Sequence, residues 1–381
     1  MIYQAEDSFL SVRGDLRDVE PLRRALDENK ELQGVDSPHP LGAAVGYVTY
    51  EGQYRFEFFH SLTAFEDWQE SAAWRRRKRV QRCVEDKERR NGDVAKSEVG
   101  MEDYVKMVGV AQEFIARGDI YQVNLAHRFR ASPVAFPYLL FEELMKISPA
   151  PGAAFLDFED ELILCTSPEL YFKVNGTQLT TRPIKGTRPR DPRDPIRDQQ
   201  LAYDLLTSPK ELAELVMITD LMRNDVGKVS RVGTVLTPDL ISLRSYAQVH
   251  HLVSTVEGQM VPGTHPVDVL VAMHPGGSVS GAPKIRAMEI IEALEIWPRR
   301  HYTGGIGYFA FNGDAAFSMG IRTIVQDACG LSFGVGSGIT ADSIPAMEYE
   351  ETLHKAQGML RALESYHRRC SMKAVEGREV T

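Results

Sequence analysis

The feature that most restricts the fold is an interleaving of two periodicities beyond residue 100, where short apolar runs alternate with amphipathic helical stretches. Residues 101–117 place Tyr104, Met107, Val108, Ala111 and Ile115 at helical spacing, and Gly118-Asp119 closes that helix. A strand follows at 120–125, and more are expected at 161–165, 170–174, 306–311, 318–325 and 331–335. Earlier, residues 41–50 read as a pair of strand pieces around Gly46. Without a repeat period, this mixture predicts an α+β protein with large, mostly antiparallel sheets.

With 381 residues, 43% of them hydrophobic, the chain can bury one large core or two ordinary ones. The expected division is an N-terminal portion (1–95) against a central body (96–370), with a tail at 371–381. A net charge of −9 argues against a nucleic-acid binder, whose footprint would be basic. The run Arg75-Arg76-Arg77-Lys78-Arg79 is read as a solvated face in a connection over 74–98. No stretch approaches the ~18 apolar residues needed to cross a bilayer, and the first ten residues lack a signal-peptide pattern. Cys83, Cys165, Cys329 and Cys370 are scattered without zinc or redox spacing, so a cytoplasmic protein with reduced thiols is expected.

Several polar groups interrupt this background. In Arg182-Pro183-Ile184-Lys185-Gly186-Thr187-Arg188-Pro189, Lys185 lies between a proline and a glycine, as in a short restricted turn that presents it to a cavity. The same pattern is also ordinary turn chemistry. Residues 209–222 form a helix apolar nearly all round, with Glu214 on the face of Met217, Ile218 and Leu221. A carboxylate there needs an ion pair, for instance with Arg223, or a metal or ligand.

A second helix, capped near Ser343 with Pro345 in its first turn, projects Glu348, Glu351 and Lys355 from one side. A solvent-exposed Glu351–Lys355 pair would give the same spacing. Glycines at 334, 336 and 338 expose backbone N–H groups before that helix. The stretch from Gly276 to Lys284 is not a phosphate P-loop, because Ala282 and Pro283 stand where lysine and a hydroxyl are needed. Both glycine stretches suit carboxylates better than nucleotide phosphates. Glu169 opens a strand, His251 alternates with apolar residues, and Arg322 interrupts an apolar run as a candidate carboxylate clamp.

In this order these peptides resemble the chorismate-utilising enzymes over roughly residues 100–365. The motifs are Gly118 to Leu125, Ser167-Pro168-Glu169, Arg182 to Arg188, Ala213-Glu214 through Asp225, His251 to Thr255, Gly276 to Lys284, and Glu348 to Thr352. Relatives that add water to chorismate carry lysine where this chain has Gln122, so glutamine resembles an ammonia user. Anthranilate synthases carry alanine at the position of Lys185, whereas Pro-Ile-Lys-Gly-Thr is similar to the aminodeoxychorismate synthase large subunits.

The resemblance implies a fold of two packed β-sheet halves flanked by helices, with the cleft between them. It implies Mg²⁺ held by Glu214, Glu348 and Glu351, gripping the ring carboxylate of chorismate. Lys355, Arg322 and the N–H groups near Gly336 and Gly338 would complete carboxylate recognition, with Tyr302 and Thr187 as further candidates. Lys185 would attack C2 while Glu169 protonates the departing C4 hydroxyl and His251 orients that oxygen. A neutral amine at Lys185 would need desolvation and nearby positive charge, such as Mg²⁺ or Arg182. Ammonia is then expected from a separate glutamine amidotransferase subunit or from solution, and the product would be 4-amino-4-deoxychorismate. An amino-acid pocket of the kind some relatives carry is not assumed for the short N-terminal portion.

Overall fold

The computed structural model describes residues 2–30, 42–65, 95–246 and 249–376. The basic run at 75–79 lies outside these residues. Two large antiparallel sheets organise the rest, with ten strands in one and seven in the other. The larger runs in the order Ile184–Pro189, Val249–Gln259, Gln178–Arg182, Leu170–Asn175, Ala315–Met319, Gly305–Ala310, Ala43–Val48, Gln53–Phe59 and Leu10–Asp15. Leu236–Ser245 pairs with Val249–Gln259 beside this path. The smaller sheet runs Gly281–Ala282, Gln122–Ala131, Gly330–Ile339, Thr323–Asp327, Glu161–Ser167 and Gly152–Asp157, with Lys96–Ser97 on the edge of Gln122–Ala131.

Within 42–50 there is one strand, Ala43–Val48, rather than two pieces, because Gly46 lies in register with both Phe56 and Gly307. A Cβ at Gly46 would overlap the Arg55 carbonyl, so glycine there serves close strand approach and not a turn. This strand pairs with Gly305–Ala310, so Leu10–Asp15, Ala43–Val48 and Gln53–Phe59 share one sheet with strands of the C-terminal third.

The sheets face each other around Tyr47, Phe158, Ile163, Cys165 and Ile306, and helices cover their outer faces. On the larger sheet, Phe56, Phe172, Phe309 and Phe317 are buried against helix residues such as Leu22, Ile218, Met222 and Leu270. Each such side chain contributes about 1.5–3 kcal/mol by leaving water. The smaller sheet is covered by Pro137–Ile147 and Pro345–Glu376, packed through Leu140, Leu144, Met359 and Tyr366. The last helix continues through Glu376, six residues into the expected tail. No helix among the described residues is long and apolar enough to cross a membrane.

The chain passes between the sheets at two adjacent points. One is Pro168-Glu169, between Glu161–Ser167 and Leu170–Asn175; the other is Gly320-Ile321-Arg322, between Ala315–Met319 and Thr323–Asp327. The expected single strand over 318–325 is therefore two strands in different sheets. The crossings are stitched together: Thr166 N donates to Arg322 O at 3.0 Å and Met319 N donates to Glu169 O at 3.1 Å. Arg322 turns the corner with φ 49°, a left-handed conformation that few side chains adopt.

Candidate active site

Lys185 lies within the strand Ile184–Pro189 and not in a turn. The restriction foreseen for it is a β-bulge: register against Val249–Gln259 shifts between Lys185 and Thr187, with Gly186 at φ 70°. Glycine is required there, since a Cβ would also crowd Leu205 and Glu211. The lysine reaches across to the smaller sheet. A Cβ built on Gly338 would overlap Gln122 Nε2 and stand 3.5 Å from Lys185 Nζ.

The glycines of Gly330–Ile339 thus form a bare strand face. The ring of Tyr302 covers Gly334, and its hydroxyl would stand 3.0 Å from a Cβ at Gly336. Pairing with Thr323–Asp327 stops at Phe333. On the other side, Ala126 N donates to Glu295 at 2.8 Å and Asn124 N to Ser280 O at 2.8 Å, so neither bonds its register partner, Gly336 or Gly338. The backbone groups of Gly336 and Gly338 therefore face the unpaired edge, where Lys355 Nζ donates to Gly336 O at 3.0 Å.

Glu169 is buried at the crossing. Burial pushes its carboxyl up to about 7, against opposing pulls from the Ser278 hydroxyl, Lys185 and Lys355. Ser278 Oγ donates to Glu169 Oε1 at 2.5 Å, so the Gly276–Lys284 stretch supplies a positioning hydroxyl. The Ser278 role was not anticipated, and only the placement of a serine among glycines pointed to it.

His251 is buried opposite Thr187, its Nδ1 3.0 Å from Thr187 Oγ1 and 3.3 Å from Gly186 O. Burial, followed by the charge of Arg322, lowers its pKa to about 4. A carbonyl can only accept, which assigns the proton to Nδ1 and leaves Nε2 a buried acceptor without a partner. Arg322 itself has no carboxylate partner among the described residues, although burial works against its charge. A partly buried guanidinium without a carboxylate suits an anionic ligand.

The helix Pro209–Gly227 is buried on one face only, with Val216 43% exposed, because its other face lies outside the sheets. Arg223 pairs with Asp220 on that outer face, so it is not the partner of Glu214. Glu214 turns inward, accepting a long 3.4 Å contact from Gln122 Nε2; burial raises its pKa despite the ammonium groups of Lys185 and Lys210. The carboxylates Glu169, Glu214 and Glu351 all feel the charge of Lys185, whereas Arg182 is exposed on the surface. The positive surroundings expected for that amine are not built from Arg182.

On the last helix, Glu348 Oε1 accepts from Ser343 Oγ at 2.6 Å and from Lys210 Nζ at 3.3 Å, and its buried Oε2 has no partner. The Ser343 side chain therefore serves Glu348 and the Thr340 N–H in place of a helix cap. Glu351 and Lys355 form an ion pair of 2.7 Å, both about half exposed. Burial works to raise the Glu351 carboxyl, but Lys355 prevails and lowers it.

The structure thus brings the twelve residues singled out from sequence to one seam beside Gln122 and adds Ser278 and Lys210. As the side chains stand, no three His, Cys, Asp or Glu among the described residues are close enough to enclose a metal. The unpartnered Glu348 Oε2 and the weakly bonded Glu214 nevertheless fit a hard divalent cation, since Mg²⁺ commonly takes only one or two carboxylates and fills its shell with water or substrate oxygens. A neighbouring cavity lined by Met107, His127, Trp297 and Gly334 shares Tyr302 with the site.

The chorismate binding enzyme model matches residues 20–361. The chain belongs to this family. It is 43% identical over 263 residues to anthranilate synthase component 1 of Thermus thermophilus, covering 69% of this chain and 57% of that protein. It is 44% identical over 253 residues to aminodeoxychorismate synthase component 1 of Bacillus subtilis, covering 66% and 54%. The chain therefore spans little more than half the length of these curated relatives. Among solved structures, anthranilate synthase component I from Streptococcus pneumoniae superposes with TM-score 0.79 at 27% identity, covering 94% of this chain and 92% of that one. That likeness bears out the two-sheet α+β fold, whereas sequence identity does not separate the two activities.

Proposed function

We propose that this protein converts chorismate and ammonia to 4-amino-4-deoxychorismate, acting as component I of an aminodeoxychorismate synthase. The observation that carries the reading is Lys185 Nζ lying over the bare Gly338 face, electrostatically coupled to a buried, proton-holding Glu169.

In this reading the free amine of Lys185 bonds to C2 of chorismate, the ring double bonds shift, and the C4–O bond breaks. Glu169 gives its proton to the departing oxygen, which leaves as water. Ammonia then bonds to C4, the double bonds shift back, and the C2–N bond to Lys185 breaks. A proton from the new ammonium returns to Glu169, so chorismate plus ammonia gives the amino product plus water. His251 accepts a hydrogen bond from the C4 hydroxyl through Nε2, turning the oxygen lone pair toward Glu169. Arg322 and the N–H groups of Gly336 and Gly338 hold carboxylate, with Tyr302, Thr187 and Lys355 at its rim.

Mg²⁺ held by Glu214, Glu348 and Glu351 would neutralise the ring carboxylate when bound. Ammonia would come from a separate glutamine amidotransferase subunit, and the whole would serve folate-type biosynthesis. The alternative of the same class is pyruvate elimination to anthranilate, which the Thermus relative's name makes a live comparison. The test is incubation of the purified protein with chorismate, Mg²⁺ and ammonium, with separation of products. Accumulation of 4-amino-4-deoxychorismate without pyruvate is expected; prompt pyruvate with anthranilate fluorescence would refute the assignment.

A further inference from the structure

The acidic cluster has a charged member of the protein's own: Lys210, on the first turn of Pro209–Gly227 and one helical turn before Glu214. Its ammonium donates to Glu348 Oε1 at 3.3 Å. The charges of Glu348, Glu214 and Glu351 all act on this ammonium, so the three candidate metal carboxylates share one cation. Glu348 is 3% exposed and its second oxygen is without a partner. The lysine side chain is 46% exposed, so solvent lies within its reach.

We infer that Lys210 is a tethered counter-cation that occupies the carboxylate cluster when no metal is bound and must swing out for a divalent cation to enter. This rests on the reading that the cluster takes Mg²⁺. Without Lys210 the buried carboxylate of Glu348 would have no cation in direct contact in the metal-free protein, with only the more distant charge of Lys355 acting on it, a state that burial makes costly. Lys210 supplies that charge and thereby sets the metal affinity. A lysine seated for about nine-tenths of the time leaves one-tenth of the molecules competent and weakens apparent binding about tenfold.

The experiment titrates Mn²⁺ into the purified protein and into Lys210→Met, reading free Mn²⁺ by electron paramagnetic resonance, with Glu348→Gln as reference. In parallel, acylation of Lys210 in the unsubstituted protein is followed by mass spectrometry with and without saturating Mn²⁺. Tighter binding by Lys210→Met, by about five- to tenfold, together with faster Lys210 acylation in metal, supports the inference. Equal Mn²⁺ affinity in the two proteins, with Glu348→Gln weakened, overturns it while leaving the metal reading intact. Tighter binding without any unmasking of Lys210 overturns displacement and leaves only long-range charge. Absence of Mn²⁺ binding to either protein removes the metal reading and this inference with it.

Discussion

Replacing Ser278 by alanine probes the proton on Glu169 without touching the carboxyl itself. The hydroxyl donates at 2.5 Å to a buried carboxylate oxygen, and its bond stabilises the ionised form against a burial that drives the pKa to about 7. A hydrogen bond to a charged group contributes about 1.5–3 kcal/mol, and each 1.36 kcal/mol moves a titration by about one pH unit. Removing it therefore carries Glu169 from about 7 to about 8 or above. The proposed mechanism needs the protonated acid, so activity persists below the titration and falls as pH rises through it.

Ser278→Ala should then extend the alkaline limb of kcat/KM upward by about one pH unit or more, with little difference near pH 6. The assay follows amino product from chorismate while free ammonia is held constant at each pH by adjusting total ammonium. Glu169→Gln serves as the companion: it cannot donate a proton, and should lose about 10²- to 10⁴-fold in kcat and the limb itself. An alkaline limb that stays in place in Ser278→Ala, or retreats to lower pH, would refute the argument that this carboxyl is the acid.

Lys185→Ala should abolish any covalent adduct seen by intact mass in chorismate alone, while leaving some turnover if ammonia attacks C2 directly; an unchanged adduct would remove the covalent role. Gly338→Ala should lose at least about 10²-fold in kcat/KM with unchanged thermal unfolding. Its added carbon falls on Gln122 Nε2 and beside Lys185 Nζ and not in the core, so retained activity would show that this face is not where the ring lies.

Several members of the candidate site stood out by residue type and spacing because they are polar groups placed where folding alone gives no reason for them, whereas Thr187 and Tyr302 were reached only through the family resemblance. Arg322 illustrates this and its limit. Its charge in an apolar run marked it as a candidate ligand clamp, a role its lack of a carboxylate partner among the described residues supports, but the run was taken as one strand. A passage between sheets looks locally like two strands joined without a turn signal, and Gly320-Ile321-Arg322 offers neither proline nor asparagine. Likewise Pro183 and Gly186 suggested a turn around Lys185, because a bulge and a turn demand the same positive φ from glycine. The helix carrying Glu214 read as buried all round since Val216 and Ala213 are apolar, yet nothing covers that side among the described residues. Ser278 and Lys210 escaped notice because a serine beside glycines and a lysine after a proline have ordinary explanations; only their distances to Glu169 and Glu348 distinguish them.

The location of the site follows from topology. A strand inside a sheet has both backbone edges occupied and its side chains committed to a core or to solvent. At the seam, two segments leave one sheet for the other, and four short-range backbone bonds fix the corner: Thr166 to Arg322, Met319 to Glu169, Gly320 to Gly304 and Thr303 to Gly320. The corner holds Glu169, Arg322 and the loop bearing Tyr302 with the rigidity of the sheets while leaving Arg322 without a carboxylate partner among the described residues. Lys185 and His251 arrive from the outer strands of the larger sheet, and the glycine face from the smaller one. A carboxyl raised by burial to about 7 and an unpaired guanidinium are thus held within one partly desolvated space, a combination a surface loop could not maintain against water. The seam supplies dryness and precision together, and acid-assisted loss of a poor leaving group from a dianion needs both.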